Sequence, residues 1–170
     1  MNAARLTMVA LGDAHPDLIC AKGLSGNFDD VEHAYGDAFL SMEEQAARYR
    51  YFIDIEGGGY SGRLKLLLHS GRVVLLQDCP WREYFLSDLE PFRHFVPLKR
   101  DLSDLVERLQ WLRAHPEREL EIASEAKMYA GRHLTRRAAV STWARRLGAH
   151  GEADGRLKSG LQSLPRPPIA

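Results

Sequence analysis

The chain has 170 residues, 45% of them hydrophobic and 27% charged, enough to bury one core, so a single compact domain is the first expectation. Its 23 Lys and Arg balance 23 Asp and Glu, which leaves no net field to hold a polyanion and excludes nucleic acid as the expected partner. Cys20 and Cys79 build neither a disulfide framework nor a zinc site, and no run of about 18 apolar residues offers a membrane span, so the expected setting is reducing and cytoplasmic.

Taken from the N-terminus, Leu6, Val9 and Ala10 have helical spacing while Leu6, Met8 and Ala10 would suit a strand; a short helix is favoured, followed by a brief strand at Leu18 to Ala21. Gly23 to Gly36 is glycine-rich and acidic and reads as a surface loop. Ser41-Met-Glu-Glu44 is a capping box, in which the Ser hydroxyl and the Glu carboxylate satisfy each other's backbone amides, and it opens a helix to about Arg50. Tyr51 to Ile55, rich in aromatic and branched residues, is a strand that runs into Glu56-Gly-Gly-Gly59. Ser61 to Ser70 is then helical, with Leu64, Leu67 and Leu68 on one stripe, and Gly71 supplies its left-handed stop.

The unit repeats. Val73 to Leu76 is the continuous apolar run of a parallel strand covered on both faces; Pro80 suits the first turn of a helix over Trp81 to Leu89, and Phe95 to Leu98 is another strand. Asp101 is placed to cap a helix carrying Leu102, Leu105, Leu109 and Leu112. Pro116 opens a second, to about His133, and Thr135 caps a third, to about Leu147. Strands separated by helices predict an α/β fold, a Rossmann-like doubly wound parallel sheet followed by C-terminal helices. The expected organisation is one domain over residues 1–148 and a disordered Gly- and Pro-rich tail over 149–170.

In such a sheet ligands bind beyond the carboxyl ends of the strands, which directs attention to Glu56–Arg63 and Asp78–Glu83. In the first segment, Gly57, Gly58 and Gly59 let the backbone approach a phosphate, Ser61 offers a hydroxyl and Arg63 a planar fork of donors for two phosphate oxygens. The same residues also fit a plain tight turn with Ser61 as cap and Arg63 in water. In the second, Glu83 is placed to accept from ribose hydroxyls and Trp81 to wall a base or sugar ring; favourable helix-dipole chemistry and an ordinary core or rim tryptophan are the plainer accounts. His69 and His94 have no second ligand at metal spacing and read as satisfied polar residues, and Arg132, His133, Arg136 and Arg137 as a solvated basic face. No metal site and no cofactor are expected.

The run from Tyr49 to Gly71, with its Asp-x-x-Gly turn at Asp54, its Ser-x-Arg at Ser61 and Arg63 and its Leu-rich helix, resembles the signature of glycosyltransferase family 90, the lipopolysaccharide-modifying and protein O-glucosyltransferase type. Trp81-Arg-Glu-Tyr-Phe85, Leu89 to Leu98 and Asp101 to Leu105 recur in the family's order, and the resemblance spans about Leu6 to Leu147. It implies the C-terminal, donor-binding half of a two-domain GT-B enzyme, which takes a nucleotide-sugar, often a UDP-sugar, and delivers the sugar with inversion to a glycan or protein hydroxyl without an obligatory metal. It also implies that Ser61 and Arg63 meet the donor diphosphate, with Glu83 near the nucleoside. The family's general base lies in its N-terminal domain, and no segment of this chain matches it; Asp54 reads as structural, and Glu56 is left open. The expected partners are therefore the donor, an acceptor, and a separate acceptor-binding domain or a second copy of the chain. A noncatalytic nucleotide-binding or interaction module is the competing expectation.

Overall fold

The computed structural model describes residues 3–21 and 40–153; the loop expected at Gly23 to Gly36 and residues 154–170 lie outside the described residues. Two units are present, residues 1–131 and 132–170. The first carries α1 (Ala3–Ala14), α2 (Met42–Arg48), β1 (Tyr51–Asp54), α3 (Leu64–His69), β2 (Val73–Gln77), a 3-10 turn (Leu86–Asp88), β3 (Val96–Leu98), α4 (Leu105–Ala114) and most of α5 (Pro116–His133). The second holds the end of α5 and α6 (Arg136–Ala153), which continues through Gly148 beyond the expected end at Leu147.

The three strands form one parallel sheet in the order β1-β2-β3, with Tyr51 opposite Val73 and Leu75 opposite Val96. Every residue of the central strand β2 is buried, as a parallel strand covered on both faces requires. Side chains alternate across the pleat. Val73, Leu75, Val96 and Leu98 enter a core shared with Met8 of α1, Leu105, Leu109 and Leu112 of α4, and Ile122 of α5. The intervening residues Phe52, Val74 and Leu76 face the other way, where α3 packs on β2 and buries Leu64, Leu67 and Leu68. The fold is thus Rossmann-like α/β, a parallel sheet flanked by helices and followed by C-terminal helices. Asp54, the last residue of β1, shares the register of Phe52, so its carboxylate is delivered to the α3 side at the strand's carboxyl end, only 2% exposed.

Several local signals act as their chemistry dictates. Ser41 Oγ accepts from the Glu44 amide at 3.2 Å and Glu44 accepts from the Ser41 amide at 2.8 Å, completing the capping box. Gly71 stops α3 at φ 72°, a conformation that L side chains rarely adopt. Pro116 opens α5, and Thr135 Oγ1 accepts from the Ala138 amide at 3.2 Å ahead of α6.

Four expectations are corrected. Leu18 to Ala21 forms no strand: the amides of Leu18 and Ile19 both donate to the His15 carbonyl, turning the chain so that Ile19 enters the core as a plug. The helix expected over Trp81 to Leu89 is reduced to the 3-10 turn at Leu86–Asp88, because the preceding residues bond elsewhere: Arg82 folds back on the Cys79 carbonyl and on Asp78, and Glu83 reaches Lys65. Asp101 caps no helix. Its carboxylate accepts from the Ser103 amide at 3.0 Å, Leu102 stands at φ 61°, and α4 begins only after Asp104, whose side chain serves the Lys99 amide instead. Nor does Ser61 cap α3, which starts at Leu64 behind Arg63 without a side-chain cap.

Candidate functional site

The site is built where β1 ends and the chain crosses to α3. Desolvation of a buried carboxylate costs free energy unless partners are supplied, and the turn supplies them. Ser61 Oγ donates to Asp54 Oδ1 at 2.7 Å, and Arg63 brings Nη2 to 3.9 Å from the same oxygen while donating to the Ile53 carbonyl at 3.2 Å. Burial still dominates and holds the Asp54 carboxyl above the ordinary aspartate value, against the lowering effects of Ser61, Arg63 and the more distant Arg5; Glu83 adds a further push upward. Ser61 and Arg63 thus both turn toward Asp54, and half of the Arg63 side chain remains exposed.

The glycines between the strand and Ser61 have a particular status. Gly57, Gly58 and Gly59 are not in the left-handed region, and a Cβ at Gly58 or Gly59 would meet nothing within 4 Å. The backbone of the free chain therefore does not itself require glycine there, which removes the main reason a plain tight turn would have for selecting it. At Gly57 a Cβ would come within 3.4 Å of Arg5 Nη2, so the guanidinium of α1 reaches over the turn. The turn is also tied from below: Gln77 Oε1 accepts from the Glu56 amide at 2.9 Å while its Nε2 donates to the Arg100 carbonyl at 2.6 Å, locking the ends of β1 and β2 to the segment after β3.

Glu83 lies beside this group without the helix start that was expected of it. Its Oε2 is 2.7 Å from Lys65 Nζ on α3, and its Oε1 is buried with no hydrogen-bond partner among the described residues. A buried acceptor left in that state has capacity for a donor from a ligand. Trp81 is 48% exposed; its carbonyl accepts from Cys79 Sγ at 3.7 Å, and the ring is not among the groups gathered around Asp54.

The structure thus brings Ser61, Arg63 and Glu83 to one strand mouth with the glycine turn, and adds two cations that the sequence reading left out, Arg5 and Lys65. Lys65 had a local signal, since it follows Arg63 by two residues at the start of the same helix. Arg5 had none, because only the packing of α1 brings it near. Of the other residues considered, His94 is buried with Nδ1 accepting from the Glu90 amide at 2.9 Å, while His69 and the basic side chains Arg132, His133, Arg136 and Arg137 are exposed. Among the described residues no group of three or more His, Cys, Asp or Glu is placed to hold a metal ion, and no helix is long and apolar enough to cross a membrane.

Comparison with known proteins supplies the context for this geometry. Residues 1–147 match the family model described as Glycosyl transferase family 90. The chain is 35% identical to Protein O-glucosyltransferase 3 of Homo sapiens over 128 residues, which cover 74% of this chain and 25% of that protein. It is 30% identical to Protein O-glucosyltransferase 3 of Rattus norvegicus over 168 residues, covering 96% of this chain and 33% of the relative. Against Protein O-glucosyltransferase 2 of Danio rerio it is 37% identical over 87 residues, 51% of this chain and 17% of the other. The chain therefore spans only about a quarter to a third of the length of these first two relatives.

Proposed function

This chain belongs to glycosyl transferase family 90, and from that premise we propose that it is the donor-binding part of an enzyme that moves a sugar from a nucleotide-sugar, a UDP-sugar, to a hydroxyl of a glycan or protein. The observation that carries the reading is the gathering of Arg63 and Arg5 around a glycine turn with open space over Gly58 and Gly59, at the carboxyl end of a parallel strand, with Lys65 paired to Glu83 beside it. A diphosphate laid on that turn would lie against the glycine backbone and meet guanidinium donors from the side. As the bond to the sugar breaks, negative charge grows on the leaving diphosphate, and a fixed guanidinium such as Arg63 stabilises that charge where it develops. Glu83 Oε1, buried and without a partner, is the acceptor offered to a hydroxyl of the nucleoside or sugar.

Glucose as the sugar and a protein hydroxyl as the acceptor are the versions that the names of the relatives support. Lipopolysaccharide or capsule glycans, reached from the water side in the cytoplasm, are the bacterial version. In either, we place the general base that deprotonates the acceptor in a separate acceptor-binding domain, as the family resemblance implies. Titration calorimetry with UDP-glucose tests the donor reading: the wild-type chain binds, and Arg63→Ala loses about 1.5–3 kcal/mol, the worth of a charged hydrogen bond. Equal affinity in the two proteins would remove Arg63 from the site, and no binding to wild type would end the proposal.

A second reading, a noncatalytic interaction module, draws on α6, where Val140, Trp143 and Leu147 recur at helical spacing and are 63%, 55% and 64% exposed. Gel filtration of the chain with and without a candidate acceptor-domain protein separates the two: a complex with no UDP-glucose binding supports the module, and binding of UDP-glucose supports the donor site.

A further inference from the structure

We propose that Asp54 is a positioning residue for the donor, and that seating the diphosphate takes one proton from solvent onto Asp54 so that Ser61 can turn its hydroxyl proton toward phosphate. The inference rests on the donor-site reading and concerns the chemistry of a single hydrogen bond within it. Ser61 Oγ lies 2.7 Å from Asp54 Oδ1. An ionised carboxylate only accepts, and a hydroxyl has one proton to give, so in the free chain that proton is committed to Asp54. Toward an incoming phosphate oxygen Ser61 then presents lone pairs, and the contact is repulsive.

Protonating Asp54 reverses the direction. The neutral carboxyl donates its O–H to Ser61 Oγ, and Ser61 donates its own O–H to the phosphate oxygen. No heavy atom has to move far, and the balance is one proton taken up from buffer on binding and returned when the diphosphate leaves.

The surroundings of Asp54 favour this exchange. The residue is 2% exposed, and burial already holds its carboxyl above the usual aspartate value. The charged groups that face it are Arg63 from the turn, Arg5 from α1 and Glu83 from the segment after β2, the last paired with Lys65 of α3. A diphosphate at the strand mouth would draw Arg63 and Arg5 to its own oxygens and add negative charge beside a carboxylate that Glu83 already disfavours. Each of these changes stabilises the neutral form of Asp54.

The test is calorimetry of the whole chain with UDP-glucose, whose diphosphate has no proton to titrate near neutrality, in two buffers of different ionisation enthalpy at around pH 8. The expected result is net proton uptake on binding UDP-glucose, with wild-type affinity falling as pH rises above the titration of Asp54 in the free chain. Asp54→Asn, whose amide donates to Ser61 permanently, should bind with no proton uptake, no dependence on pH, and at least wild-type affinity at the upper pH. Binding by wild type without proton uptake overturns the inference and leaves the donor site standing; uptake that persists in Asp54→Asn overturns it as well. If wild type fails to bind UDP-glucose from about pH 6 to 8, both proposals fall together. The wild-type measurement decides the question even where the variant folds poorly.

Discussion

Lys65 Nζ and Glu83 Oε2 are 2.7 Å apart, joining the first turn of α3 to a segment after β2 that makes no α-helix. Only 11% of the Glu83 side chain is exposed, whereas 35% of Lys65 is, so the carboxylate has more to lose. Removing Lys65 leaves Glu83 buried with neither oxygen paired, because Oε1 already has no partner among the described residues. Lys65→Met should destabilise by about 1–2 kcal/mol in a urea titration, below the cost of breaking a fully buried pair because the ammonium is screened by water. Adding Glu83→Gln should restore part of that loss; if the double variant is no better than Lys65→Met, the unpaired carboxylate is not the cause.

Gly58 and Gly59 should separate stability from binding. A Cβ at either position meets nothing within 4 Å and neither residue is at positive φ, so alanine should change stability by no more than about 0.5 kcal/mol, with a small gain expected from the stiffer unfolded chain. A diphosphate lying against the backbone would collide with those methyl groups. The expected loss is about tenfold in UDP-glucose affinity for each substitution, roughly 1.4 kcal/mol. A variant that unfolds at lower urea and binds normally would mean that the glycines serve the fold.

What could be read from the sequence followed from local chemistry. The apolar run Val73 to Leu76 announced a buried parallel strand, and the Ser41–Glu44 box, Pro116, Thr135 and Gly71 act through atoms within a few residues of themselves. Misreadings arose where a competing partner, whether nearby or distant in the chain, displaced the expected one. Asp101 looks like a helix cap, but Asp104 engages Lys99 and Arg108, and Leu102 takes a left-handed turn to reach the core. Pro80 looks like a helix start, but Arg82 and Glu83 bond to Asp78 and Lys65. At the site the same divide holds: Ser61 and Arg63 were visible as a motif, whereas the direction of the Ser61 proton and the reach of Arg5 depend on a carboxylate and a helix that only folding brings into place.

Leu102 combines two opposing demands, a side chain only 1% exposed and a backbone at φ 61°. Leu102→Ala should cost about 2–4 kcal/mol through lost burial and the cavity left behind. Leu102→Gly removes one more carbon but also relieves a left-handed penalty of about 1–2 kcal/mol, so it should be no less stable than the alanine variant. Equilibrium unfolding of the pair is the check, and a glycine variant clearly weaker than alanine would show that the conformation is not strained.

Asp54 makes stability depend on pH in a direction opposite to that of most surface carboxylates. Its carboxyl is held above the ordinary aspartate value, chiefly by burial, so between the unfolded value of about 3.9 and the raised folded one the native chain binds more protons than the unfolded chain. Stability must then fall as pH rises through that window, and above it the whole cost of a charged, buried carboxylate is present. Asp54→Asn abolishes that cost. It should therefore melt higher than wild type at neutral pH, by a few degrees or about 2–4 °C per kcal/mol recovered, and the advantage should shrink as the pH is lowered toward about 3.9, where Asp54 is protonated in both states. A difference in melting temperature that stays constant with pH, or grows in acid, would mean that Ser61, Arg63 and Arg5 together outweigh burial and that Asp54 rests comfortably as an anion.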